Sequence, residues 1–195
     1  MALRAFTSAN RSKDVPENMG DFGTEENVFP REKFADVLTA NEKYSEKFEF
    51  PTLTGTARQG LAIVTCMDSR ISPLAAVGMG PGDAKILRNA GARVTDDVLR
   101  TLMLATYLLG VERILVMPHT DCRMASSSEA GIHQKIMDDF GIDTRSVEFC
   151  TVSDQEEALA LDVTRIRSYP LLREGVVVGG AIYDVRSGAL RPVDC

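Results

Sequence analysis

The spacing of hydrophobic and polar residues changes period several times along the chain, and each change marks an element. LAIVTCM (61–67) is a short, almost unbroken apolar run, the pattern of a strand buried on both faces. AKILRNAG (84–91) and RILVMPH (113–119) read as second and third strands, each running into a loop. Between them, TDDVLRTLMLATYLLG (95–110) takes helical spacing, with Val98, Leu102, Thr106 and Leu109 on the buried stripe. Thr95 is placed to cap this helix, Asp96 and Asp97 sit in the first turn where the dipole favours anions, and Gly110 stops it.

A further helix is predicted from Pro30, where Phe34, Val37, Leu38, Asn41 and Tyr44 follow three-and-four spacing. FPTLTGTARQG (50–60) reads as loop, and SPLAAVGMGPGD (72–83) as a brief helical turn followed by a Gly/Pro loop. Helices are expected at 126–140 and 153–168, the second opened by a Ser153-x-x-Glu156 capping box. GVVVGGAIYDVRSGALRPV (175–193) reads as a long strand, a turn at Ser187-Gly188 and a short return strand. Apolar strands alternating with helices predict an α/β fold: a central, mostly parallel β-sheet flanked by helices, with an antiparallel C-terminal edge hairpin. Residues 1–29 are polar and without clear period, so a flexible N-terminal arm is expected there and a single domain over 30–195.

Composition narrows the class. A chain of 195 residues with 44% hydrophobic and 26% charged residues is ordinary for a globular domain and can bury its core without disulfides. A net charge of −6 argues against a nucleic-acid or anionic-membrane partner. No apolar run approaches the roughly 20 residues needed to span a bilayer. The N-terminal stretch lacks the apolar core of a signal peptide, and Asp14, Glu17 and Asp21 argue against a transit peptide, so the cytoplasm is the expected compartment. The four cysteines then read as free thiols or metal ligands.

In parallel sheets functional groups gather at the carboxyl ends of strands, and two polar clusters lie there. TCMDSR (65–70) places Cys66, Asp68 and Arg70 at alternate positions, which share a face if the strand runs on through them. MPHTDCRM (117–124) holds His119 and Cys122 in an H-x-x-C arrangement. Cys66, His119 and Cys122 together offer two thiolates and an imidazole, a set that suits zinc with a fourth position open. Taken singly each has a plainer reading: Cys66 as a small core residue, His119 as a hydrogen-bonded strand-end residue, Asp68 and Arg70 as a salt bridge. Their conjunction at two strand ends, in a chain with only two histidines, favours the metal site.

A free carboxylate beside zinc would close the fourth position, whereas Arg70 can pair with Asp68 and hold it off. The freed oxygen can then accept a hydrogen bond from metal-bound hydroxide and orient it. His133 reads as a surface residue of a helix, Cys150 as a core thiol and Cys195 as an exposed terminal one.

CMDSR, RNAGARV, GVERILVMPHTDC and VVVGGAIYDVRSGAL resemble, in order and spacing, the β-class carbonic anhydrases, over residues 31–193. LTANEKYSEKF and DDVLRTLMLATYLLG are similar to the compact bacterial branch of that family. The resemblance implies Cys66, His119 and Cys122 as ligands of one Zn2+ per subunit and Asp68–Arg70 as the catalytic dyad. Asn89 and Gly91 are expected at the substrate pocket, Gly91 because it allows close backbone approach, with Asn89 and Arg88 fixing the loop. The implied reaction is reversible hydration of carbon dioxide to bicarbonate and a proton, in a homodimer or homotetramer whose arm (1–45) reaches over a partner subunit.

Three rivals stand beside it: a carbonyl sulfide or carbon disulfide hydrolase on the same scaffold, a non-catalytic zinc-binding protein, and a thiol redox protein, which would usually carry C-x-x-C. The chain departs from the family pattern HTDCG in having Arg123 at the Gly position. If that position takes positive φ, Arg is strained by about 1 kcal/mol, and it places a cation at the pocket edge.

Overall fold

The computed structural model describes residues 29–195, which fall into two compact units, one ending at Glu49 and one spanning Phe50–Cys195. The arm expected over 1–29 lies, apart from Phe29, outside the described residues. In the first unit a 3₁₀ turn at Arg31–Phe34 leads into helix α1, Ala35–Ser45. The helix forms where the spacing predicts one, but none of its residues is buried, and Phe34, Val37 and Tyr44 are exposed. Around it Phe29 meets Phe34 and Tyr44 meets Phe48, at ring separations of 5.3 and 5.7 Å.

The second unit runs β1 (Leu61–Cys66), α2 (Pro73–Ala76), β2 (Ala84–Asn89), α3 (Asp96–Leu108), β3 (Arg113–Met117), α4 (Glu129–Phe140), α5 (Gln155–Arg167), β4 (Val177–Tyr183) and β5 (Leu190–Val193). The sheet order is β2-β1-β3-β4-β5; every pairing is parallel except β4 with β5. This is the predicted α/β architecture with its antiparallel hairpin at one edge. No helix among the described residues is long and apolar enough to cross a membrane.

All six residues of β1 are buried, because the sheet is covered on both faces. Ala62 and Val64 join Leu102 and Ala105 of α3 and Leu159, Val163 and Ile166 of α5 in one apolar cluster. Leu61 and Ile63 join Met117, Ile71 and Ala92 in another, which also contains Cys66 and Cys122. Alternation along one strand thus feeds two cores, and the second runs directly into the candidate site.

Several boundaries differ from the sequence reading, each for a local reason. β1 stops at Cys66, so Asp68 and Arg70 do not share a strand face with it; they stand on the turn that follows. Helix α5 is capped by Asp154, whose carboxylate accepts the Glu156 and Glu157 N–H groups at 2.9 and 3.0 Å. An anion taking two orphan donors at the positive end of the dipole displaces the Ser153 frame. Helix α4 starts at Glu129, behind Ser128, whose Oγ accepts the Gly131 N–H. Gly110 ends α3 as expected: its φ is +72°, and a Cβ there would stand 2.8 Å from Thr56 Cγ2.

β1 has β2 on one side and β3 on the other, so the chain leaves it in opposite directions. That reversal opens a crevice at the carboxyl ends of β1 and β3, where such sheets place their ligands. The core beneath is sensitive to truncation. Leu102 is fully buried, and Leu102→Ala should lower stability by about 2–5 kcal/mol, read as a lower urea midpoint at unchanged slope.

Candidate metal centre

Cys66 ends β1, and the chain turns sharply after it. Arg70 N–H donates to Asp68 Oδ1 at 2.9 Å, and Ile71 N–H to the Asp68 carbonyl at 3.1 Å. Arg88, at the end of β2, ties this turn down: its guanidinium donates to the carbonyls of Cys66, Asp68 and Ile71 at 2.8, 2.5 and 3.3 Å. A charged fork satisfying three backbone acceptors makes the turn rigid where the sheet ladder has ended.

The second arm of the site follows β3. His119 is 1% exposed and bridges to Tyr183, while Thr120 N–H donates to the Tyr183 carbonyl at 2.9 Å. Gln155 of α5 donates to the His119 carbonyl at 2.7 Å. The imidazole Nδ1 lies 2.8 Å from the Thr120 carbonyl, which requires Nδ1 to carry the proton and donate. Nε2 is then left with a lone pair. It is buried and has no hydrogen-bond partner.

Cys66, His119 and Cys122 offer ligand atoms that all lie within 4.8 Å of one another, and all three residues are buried. Burial pushes the Cys122 thiol up from its ordinary value, and the neighbouring Cys66 adds to this. Two buried thiols and an orphaned imidazole nitrogen fit a soft divalent cation, which would satisfy the nitrogen and stabilise both thiolates. Two sulfurs and one nitrogen make three protein ligands, one short of a closed tetrahedral shell.

Asp68 stands beside this group, with Oδ2 3.7 Å from His119 Nε2. Arg70 holds it through two parallel bonds, Nε to Oδ1 at 2.9 Å and Nη2 to Oδ2 at 2.7 Å. Hydrogen bonds from the Arg70 side chain and then its backbone hold the Asp68 carboxyl well below the usual carboxylate range, and push the Arg70 guanidinium upward in turn. Asp68 is therefore an acceptor only at any neutral pH.

The third wall is the loop after β2. Asn89 pins it by accepting the Arg93 N–H at 2.9 Å and donating to the Arg93 carbonyl at 2.6 Å. Within this clamp Gly91 and Ala92 take φ values of +79° and +61°. A Cβ on Gly91 would come within 3.1 Å of Met124 Cβ, so any larger residue is crowded there as well as strained by the positive φ. Gly91 lines the cleft of about 390 Å³ that opens over Cys66, Asp68, Arg70, His119 and Cys122, and Asn89 acts on that wall from inside its loop. Arg93 in turn donates to the buried Asp162 of α5 at 2.7 Å, which anchors the loop to the scaffold.

Arg123 is unstrained. It opens a 3₁₀ turn (Arg123–Ala125), and the left-handed residue of this loop is Asp121, at φ +57°. Arg123 is among the residues that line the cleft. Sequence reasoning overlooked Asp121, Gln155 and the Arg93–Asp162 pair. Asp121 lies inside the H-x-x-C motif, but its type alone carries no signal there, and the other contacts join distant positions. His133 belongs to α4, with Nδ1 2.9 Å from Thr144 Oγ1 and its ring 5.2 Å from that of Phe149.

The family model described as carbonic anhydrase matches residues 61–190. Beta-carbonic anhydrase 1 of Mycobacterium tuberculosis is 35% identical over 159 residues, covering 81% of this chain and 96% of its own. The carbon disulfide hydrolase of Acidithiobacillus thiooxidans is 32% identical over 152 residues, covering 68% and 76%. The solved structure of the Streptococcus mutans carbonic anhydrase superposes with a TM-score of 0.78 at 37% identity, covering 86% of this chain and 99% of that one.

Two measurements check the electrostatics of the site. Asp162→Ala leaves the Arg93 guanidinium part-buried without its carboxylate and should cost about 3 kcal/mol in urea unfolding. Asp68 has a folded pKa below its unfolded one. Its pair with Arg70 thus stabilises the fold above the ordinary carboxylate range and loses that contribution only as pH falls through the lower folded value. Carboxyl-carbon NMR of the metal-free protein should show Asp68 titrating well below the exposed aspartates.

Proposed function

The chain belongs to the β-class carbonic anhydrase family, and on that footing we propose that it catalyses the reversible hydration of carbon dioxide to bicarbonate and a proton. The observation that carries this reading is a carboxylate held by an arginine beside three buried, mutually close metal-ligating side chains. Cys66, His119 and Cys122 would hold one Zn2+ per subunit; two sulfur donors favour zinc over magnesium or calcium. Bound there, zinc supplies the charge that acidifies water towards neutrality and so makes a hydroxide nucleophile available.

The chain's own residues do the rest. Arg70 occupies both oxygens of Asp68, which keeps the carboxylate from completing the ligand set. Asp68 accepts a hydrogen bond from the attacking water and leaves its lone pair free to face the substrate. Such positioning alone can be worth about a hundredfold in rate. The fixed loop carrying Gly91 forms the wall against which a small linear substrate lies. A purely structural metal site would gain nothing from a carboxylate held off the ligands, which argues against a non-catalytic role.

Residues 30–195 are proposed to act as one zinc-dependent domain within a cytoplasmic homodimer or homotetramer. The exposed Leu104, Tyr107 and Leu108 of α3 are the kind of apolar surface that assembly covers.

Stopped-flow carbon dioxide hydration, run beside carbon disulfide and carbonyl sulfide hydrolysis and a zinc determination, tests the proposal. Carbon dioxide should be the preferred substrate; faster sulfide release from carbon disulfide would assign the chain to the rival reaction. Cys66→Ser and His119→Ala should lose zinc and activity together. Asp68→Asn should keep zinc yet lose about a hundredfold or more in kcat, and an unimpaired variant would remove Asp68 from the mechanism.

A further inference from the structure

Asp121 is not accounted for by the metal centre or by the Asp68–Arg70 pair. It contributes no ligand atom to the Cys66–His119–Cys122 group, yet it stands between two of those residues in a left-handed conformation, φ +57°. Residues other than glycine adopt that region rarely, Asp and Asn being the usual exceptions. In it, a carboxylate oxygen and the backbone carbonyl of Asp121 meet one guanidinium: Arg70 Nη1 donates to Asp121 Oδ2 at 2.8 Å, and Arg70 Nη2 donates to the Asp121 carbonyl at 3.1 Å.

Arg70 has five N–H donors in a plane. Asp68 takes one edge of that plane and Asp121 another, so four side-chain bonds hold the guanidinium. The partners come from different loops, one after β1 and one after β3. A swing of the guanidinium away from Asp121 therefore disturbs its alignment with Asp68. The pair is exposed, with relative side-chain accessibilities of 44% for Arg70 and 67% for Asp121. Exposed ion pairs add little to stability, so the effect of this one lies in orientation.

We propose that Asp121 is a positioning residue that fixes the Arg70 guanidinium and, through it, the Asp68 carboxylate, in the arrangement used for carbon dioxide hydration; the catalytic part of this inference rests on the function proposed above. Asp121 itself touches no reacting atom. It links the loop carrying Cys122 to the turn carrying Asp68, so metal ligand and gate keep a fixed relation to each other.

The test uses the zinc-loaded full chain and the variants Asp121→Asn, Arg70→Lys and their combination. Asparagine tolerates the left-handed backbone and keeps the shape while removing the charge. Asp121→Asn should retain zinc, keep KM for carbon dioxide, and lose about tenfold in kcat through misorientation. Lysine is a point charge that cannot hold both carboxylates, so the double variant should be no slower than Arg70→Lys alone. Wild-type kcat in Asp121→Asn, loss of zinc, or multiplying effects in the double variant would each overturn the inference.

A readout without turnover separates this from the function itself. The Arg70 Nε–H donates to Asp68 Oδ1 at 2.9 Å, and its resonance should exchange with solvent at least about tenfold faster in Asp121→Asn than in the wild type, as expected when the guanidinium loses a charged partner that aligns it with Asp68. If the wild type fails to hydrate carbon dioxide, the proposed function falls while this exchange still decides the positioning. Unchanged exchange overturns the positioning whatever the activity.

Discussion

Two buried thiols and an imidazole nitrogen without a partner converge at one place in this protein, and an apolar interior leaves such groups uncompensated. The Cys122 thiol is already pushed up by that burial. Either the groups stay neutral at the expense of an unsatisfied nitrogen, or a cation joins them. Once a cation is required, the nearest carboxylate becomes the difficulty, because Asp68 lies 3.7 Å from His119 Nε2 and carries its charge at all ordinary pH. Arg70 resolves it by taking both oxygens. The surrounding polar structure fixes the segments that carry these groups: Arg88 the turn of Asp68, Asn89 the loop of Gly91, Gln155 the histidine backbone.

The sheet makes this convergence possible. β1 is flanked by β2 and β3 in parallel register, with Cys66 opposite Asn89 on one side and Thr65 opposite Met117 on the other. Three strand ends therefore deliver three loops to one crevice, and each loop brings a different function. The end of β1 and its turn carry Cys66 and the Asp68 carboxylate, the loop after β2 carries the wall, and the loop after β3 carries His119, Cys122 and Asp121. The regular ladder ends there, and backbone ties continue from Met67 N–H to the Asn89 carbonyl and at the His119–Tyr183 bridge. Side chains add to these, several of them arginines because one guanidinium can satisfy several acceptors from different loops.

What the sequence made legible follows from how local each signal is. Strands and helices were readable from periodicity, and the convergence of Cys66, His119 and Cys122 from scarce residue types at two predicted strand ends. The Asp68–Arg70 pair was readable in kind but for a different geometric reason: the two do not alternate on a strand with Cys66 but stand on a tight turn, where a two-residue spacing also brings them together. Helix α1 was recognisable, whereas the exposure of its apolar face was not, since spacing says which residues share a face and nothing about what covers it. The Arg93–Asp162 pair spans 69 positions, and no pattern in one sequence connects them. At Arg123 the family's glycine suggested a left-handed backbone; that conformation falls instead on Asp121. A motif records which residues a loop contains, while the loop's closure decides which of them turns.

The relatives include enzymes named for carbonic anhydrase activity and for carbon disulfide hydrolysis, and the chemistry of such a site explains why one scaffold serves both. A hydroxide oriented by a held carboxylate can attack the central carbon of any linear heterocumulene, so neither the ligand trio nor the dyad distinguishes oxygen from sulfur in the substrate. Discrimination belongs to the walls, where size and polarity meet the two ends of the molecule. Here the cleft is lined by Gly91, whose missing Cβ leaves Met124 in close approach, and by Arg123. Met124 is a soft, adaptable side chain, and Arg123 is a cationic residue at the same cleft. Under the proposed function, the residues that would set the reaction type are thus separate from those that would set its substrate, and variation in the second group leaves the Cys66–His119–Cys122 cluster untouched.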